Sequence, residues 1–129
     1  MRPPAMLLAA LLAAPAWAGA LDDCTQKQAD TPAVAACLKQ RHDDAHRQLA
    51  AQEDKAMAAM RQLDATTDNR YHAARALRRA QQAYESYRRQ QCDWVEAGYA
   101  SGNGAARARL ACEIDLDTQR LAELGRQSS

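Results

Sequence analysis

Phenylalanine is absent from this 129-residue chain, and beyond residue 18 it holds only two valines, Val34 and Val95, and one isoleucine, Ile114. So few β-branched and aromatic residues exclude a β-sandwich, a barrel or an ordinary α/β sheet. Glycine is nearly as scarce. There are five, three of them in the stretch Gly98, Gly102 and Gly104, and Pro32 is the single proline after the first 18 residues. No Gly-rich phosphate loop, G-x-S-x-G elbow, H-E-x-x-H or C-x-x-C occurs, so the chain reads as a non-enzyme without a cofactor. Neither sign of charge predominates. Seventeen Lys and Arg against 16 Asp and Glu give a formal net charge of +1, which argues against a nucleic-acid partner. What the chain has is alanine, 31 residues of it. With Leu, Arg, Gln and Glu, these are strong helix formers that bury little surface each. The fold class is all-α, in one domain.

Long apolar runs are also lacking. The longest, Ala5 to Ala14, is short of the ~20 residues that span a bilayer, which excludes a transmembrane segment there. With Arg2 before it and Pro15 and small residues after it, the run reads as a secretory signal peptide over 1–18. The A-x-A rule fits cleavage after Ala18, with Ala20 as the alternative. The domain is then 19–129, and the compartment periplasmic or extracellular. Cys24 does not suit a lipoprotein signal, since Leu21-Asp22-Asp23 precede it.

Export decides how four cysteines read. In an oxidising compartment, Cys24, Cys37, Cys92 and Cys112 form disulfides, and their intervals contain no paired zinc-knuckle spacing. Four cysteines allow three pairings. Proximity in sequence favours Cys24 with Cys37 and Cys92 with Cys112.

Neither glycine nor proline interrupts residues 33 to 97. A single helix of that length would be ~98 Å long with nothing to pack on, so it folds back, at Ala65-Thr66-Thr67-Asp68-Asn69. Thr31-Pro32 is the predicted start of the first helix, Asp68 or Asn69 caps the second, and a third begins at Asn103 and ends at Gly125. The predicted inward stripes are Val34, Leu38, Ala45, Leu49, Ala56, Met60 and Leu63; then Ala73, Leu77, Ala80, Tyr84, Tyr87, Gln91 and Trp94; then Leu110, Ile114, Asp117, Leu121 and Leu124. Three stripes give a three-helix up-down-up bundle stapled by two disulfides, with all four cysteines near one end.

Few constellations carry chemistry. His42 and His46, one helical turn apart, with Asp43 nearby and His72 as the remaining imidazole, could hold a metal weakly, although His42 also falls on the packing stripe. Arg75, Arg78, Arg79 and Arg89, with Gln82, share one face of the second helix. In a neutral exported protein they read as a solvated face paired with acidic neighbours.

The stretch LRRAQQAYESYRRQQC resembles the central signature of the LprI-type lysozyme-inhibitor family through Leu77, Gln81, Tyr84, Tyr87, Arg88 and Cys92. Cys112, Leu116, Arg120 and Leu124 resemble its downstream signature, and an upstream cysteine pair such as Cys24 and Cys37 belongs to it as well. Tyr84 departs from the usual Trp, and Asp117 from a common Thr. The resemblance implies a small exported helical protein and, for some members, inhibition of lysozyme. Its signature residues also read as structural, with Arg88 and Arg120 as ion pairs between the second and third helices and Asp117 in need of a partner.

The expected function is therefore binding of lysozyme and occlusion of its cleft. The alternatives are a structural or envelope-stress module without lysozyme activity and a weak periplasmic metal-binding bundle. The expected contact surface is the loop from Gly98 to Gly104, through Tyr99, Ser101 and Asn103, because a loop anchored by a disulfide loses less entropy on binding. The competing surface is the acidic face around Asp43, Asp44 and Asp54.

Overall fold

A computed structural model describes residues 19–100 and 102–127. The expected signal peptide, 1–18, lies outside them, as does Ser101. The described residues form four helices: α1 (Ala20–Lys27), α2 (Thr31–Thr66), α3 (Ala73–Ala97) and α4 (Ala105–Gln127). Helices α2, α3 and α4 are the expected bundle. The count of three is corrected to four, because the arm before Pro32 is itself helical. None of the helices is long and apolar enough to cross a membrane.

Eight residues do not sustain a helix in water. Helix α1 persists because the bundle holds it at both ends. Asp115 of α4 accepts the Ala20 N–H at 2.9 Å on Oδ1, supplying the cap that Gly19 cannot. A Cβ at Gly19 would meet Asp115 Oδ2 at 3.0 Å, so a larger residue there would push this carboxylate aside. Near its other end, Cys24 is bonded to Cys37 of α2. Ala20 and Cys24 are thereby buried with Val34, Leu38, Ala111 and Ile114.

Helix α2 starts one residue earlier in register than Thr31-Pro32 predicts. Asp30 is the N-cap, its Oδ1 accepting the Ala33 N–H at 2.8 Å. Pro32 falls in the first turn, where no N–H has an intrahelical partner to lose. The fold-back comes where expected, with Asp68 and Asn69 both at left-handed φ, 52° and 57°. Their predicted capping role is corrected. The carboxylate of Asp64, still within α2, accepts N–H bonds from Ala73 and Ala74 at 2.7 and 3.0 Å. The last turn of one helix thus caps the first turn of the next, and these backbone bonds hold the Asp64 pKa below the ordinary 3.8.

Helix α4 begins on Gly104, whose carbonyl accepts the Ala108 N–H at 2.9 Å, not on Asn103, and it runs through Gly125 to Gln127. Its buried residues are Ala108, Ala111, Ile114, Asp117 and Leu124. On α2 the stripe holds at Val34, Leu38, Leu49 and Ala56 and fails at Leu63, which is 40% exposed. On α3 it fails more widely. Tyr87 and Trp94 are 54% and 69% exposed, and Ala80 is exposed as well. The inward face carries Leu77, Gln81, Tyr84, Arg88, Cys92 and Val95 instead. The predicted series repeats every seven residues, and such a series drifts ~20° per heptad round a straight α-helix.

Candidate functional site

The end of α3 and the start of α4 are tied by the Cys92–Cys112 disulfide, with a Cα–Cα distance of 5.6 Å. The connection between them is a succession of hydrogen-bonded turns. Gly98 N–H donates to Trp94 O at 3.0 Å, Tyr99 N–H to Glu96 O at 3.1 Å, Ala100 N–H to Ala97 O at 3.0 Å and Gly102 N–H to Tyr99 O at 3.1 Å. No glycine here adopts positive φ; the left-handed residue is Ala100, at 48°. Gly104 acts through space, since a Cβ there would lie 3.1 Å from the Tyr99 ring.

Tyr99, 47% exposed, lines two shallow depressions. One, of about 380 Å3, is shared with Leu21, Gln91, Val95 and Leu116. The other, of about 310 Å3, is shared with Leu21, Thr25, Val34 and Arg107. The exposed Asp22 lines both. Helix α1 is thus part of this surface, although the three stripes read from the sequence do not include it. Asn103 is exposed on the same connection.

Trp94 and Tyr87 were also missed as surface residues. The signal was in the cysteine: once Cys92 faces inward, Trp94 stands about 200° round the helix and Tyr87 about 140° the other way. Beside Trp94, Asp93 and Glu96 bind Arg109 of α4, with Arg109 Nη1 2.7 Å from Glu96 Oε2. Arg109 Nε also lies 3.2 Å from Glu113 Oε1, and Glu113 Oε2 is 2.6 Å from His42 Nε2. This chain of polar contacts links the end of α3 and the start of α4 to α2 at His42.

The other candidates are dispersed. His42 is engaged by Glu113 and stacks on His46 with ring centroids 6.5 Å apart. Among the described residues, no group of three or more His, Cys, Asp or Glu side chains is placed to hold a metal ion. Arg75, Arg78, Arg79, Gln82 and Arg89 are exposed as expected, but the four arginines enter no ion pair with acidic neighbours among the described residues. Asp43 pairs with Lys39 and Asp44 with Arg47, which neutralises most of the competing acidic face, leaving Asp54 exposed beside them.

Of the two signature arginines, Arg88 links α3 to α4 by donating to Asp117 at 2.8 and 3.0 Å. Arg120 does not make the expected interhelical pair. It binds Glu123 of its own helix at 3.3 Å and lies over the Tyr84 ring, 5.6 Å from the centroid.

A family model described as Lysozyme inhibitor LprI matches residues 22–124. No curated protein and no solved structure matches the chain. The family match takes in both disulfides and all but the ends of the helical domain, and the chain belongs to that family.

Proposed function

We propose that this LprI-family protein is exported, binds lysozyme and blocks its active-site cleft with the stapled end of the bundle. The observation that carries the reading is the family match over residues 22–124. The geometry supports it in two ways. Trp94 and Tyr99 are large, rigid and exposed on either side of the α3 terminus, and Trp and Tyr are the residue types most enriched where binding energy concentrates. The turns from Trp94 to Gly102 are already hydrogen-bonded and closed by a disulfide. Little order remains to be imposed on binding.

The same end of the molecule bears on where an exported chain is cleaved. Ala20 is 1% exposed and donates to Asp115, so cleavage after Ala18 preserves this contact and cleavage after Ala20 removes it. Two disulfides accord with an oxidising, extracytoplasmic compartment.

The test is clearance of a bacterial cell-wall suspension by lysozyme, followed by turbidity, with and without the secreted protein. Inhibition is expected. Tyr99→Ala with Asn103→Ala weakens it at least tenfold, and Trp94→Ala does likewise, while helicity and melting stay unchanged. Full inhibition by these variants would move the contact to the face of Asp43, Asp44 and Asp54; no inhibition by the wild type would overturn the reading. Mass spectrometry of the secreted chain is expected to show Gly19 as its first residue.

A further inference from the structure

The opposite end of the bundle is built differently. Between the fold-back and the end of α4 lies an open groove of about 600 Å3, within the ~300–1,000 Å3 range of clefts that hold small ligands. It exists because the facing positions are alanine. Ala59 of α2 and Ala76 and Ala80 of α3 end at Cβ, so side chains do not fill the space between the helices, and Met60, Leu77 and Leu124 supply the rest of the apolar lining.

The groove's charge comes from one helix. Neither α2 nor α3 contributes an ionisable side chain to the lining; Arg120, Glu123 and Arg126 of α4 do. Two cations and one carboxylate line the groove, and Glu53 of α2, outside the lining, also attracts Arg120. A guanidinium carries five N–H donors. Arg120 gives Nη1 to Glu123 at a long 3.3 Å, and its buried Nε has no hydrogen-bond partner among the described residues. An under-used guanidinium, 16% exposed, beside an apolar trough selects a ligand with an alkyl chain and an anionic planar head. Carboxylates match the guanidinium fork better than any neutral head group.

We propose that this groove binds a fatty acid, its alkyl chain against the alanine walls and its carboxylate at Arg120 and Arg126. The site is remote from Tyr99 and independent of lysozyme binding. It would give an exported envelope protein a hold on free acyl chains.

Calorimetric titration of the secreted protein with octanoate, decanoate and dodecanoate, each below its micelle concentration, tests the proposal. One molecule is expected to bind per chain, with affinity rising about fourfold per added methylene. Dodecyl maltoside and dodecyltrimethylammonium are expected to bind at least tenfold more weakly than dodecanoate. Ala76→Trp, at an exposed position on the groove wall, abolishes binding; Arg120→Gln weakens dodecanoate at least tenfold and leaves the maltoside unchanged. Since Arg120 also covers Tyr84, Arg126→Gln serves as the second variant, with a severalfold loss expected. No binding of dodecanoate, equal binding of the three head groups, or unaltered binding in Ala76→Trp would each overturn the proposal. So would a dimer that Ala76→Trp dissociates without any acyl binding, which would identify a second copy as the occupant. Lysozyme clearance, read separately, is expected to be unaffected by all three groove variants.

Discussion

The phenol of Tyr84 on α3 donates a hydrogen bond to Oδ1 of Asp117 on α4 at 2.5 Å, and the same carboxylate receives Arg88. Asp117 is 1% exposed, so a carboxyl group sits in the bundle interior with both partners drawn from the helix opposite. This polar knot lies between two apolar clusters, one around Leu38 and Ile114, the other around Leu49 and Leu124. It fixes the register of α3 on α4, which alanine surfaces alone specify poorly.

Removing one member is expected to be costly. Arg88→Ala leaves a buried carboxylate without its counter-charge and lowers stability by about 3–5 kcal/mol. Arg88→Met combined with Asp117→Leu and Tyr84→Phe restores most of it, since an apolar set of similar volume avoids desolvating two ions and leaves no phenol without its acceptor. Urea unfolding of the three proteins checks this. A triple variant as unstable as the single one would mean that the polar cluster itself stabilises the fold.

Burial first, and then the Asp117 carboxylate, push the Tyr84 phenol far above its ordinary pKa of 10.0. A raised folded-state value means that the folded protein holds this proton more tightly than the unfolded chain. The associated stability is complete below pH 10 and is lost as pH rises beyond it. Native wild type and Tyr84→Phe are therefore expected to show equal phenolate absorbance at pH 11, and the melting temperature of the wild type falls more steeply above pH 10. Extra phenolate in the folded wild type would place Tyr84 in water.

Asp64 carries the opposite sign. Its pKa is lowered by the N–H groups of Ala74 and Ala73, so its contribution is present above pH 3.8 and disappears as pH falls through the folded value. Asp64→Asn is expected to melt lower than wild type at pH 7, with the gap closing as the solution is acidified. A constant gap would show that an uncharged amide caps α3 as well as the carboxylate does.

Every cysteine is bonded, and no free thiol is expected when the denatured, unreduced protein is labelled. Cys92→Ala with Cys112→Ala opens a 20-residue interval and lowers stability by roughly 3 kcal/mol in the loop-entropy account. Chemical denaturation measures the loss. Labelling of two thiols per chain in the wild type would contradict the bonding.

Composition alone determined that this chain is helical: without phenylalanine and with three β-branched aliphatic residues after position 18, it has nothing from which to build a sheet. The breaker-free interval from 33 to 97 and the polar run at 65–69 set where it turns back, because helix propensity and turn chemistry are local properties. Short separations favoured the cysteine pairing that the structure has. Tertiary structure decided the rest. Helix α1 is too short to form by its own propensity and exists because Asp115, 95 residues from Ala20, caps it. Asp64 replaced Asp68 and Asn69 as the cap because its carboxylate reaches back across the fold-back. Tyr87 and Trp94 lie on the surface because the disulfide at Cys92 and the ion pair at Arg88 turn α3, and a seven-residue periodicity in sequence carries no record of that rotation. The loop at Tyr99 was legible from its glycines. The groove beside Arg120 was not, since an alanine leaves the same mark in sequence whether a neighbour fills the space beyond it or leaves it open.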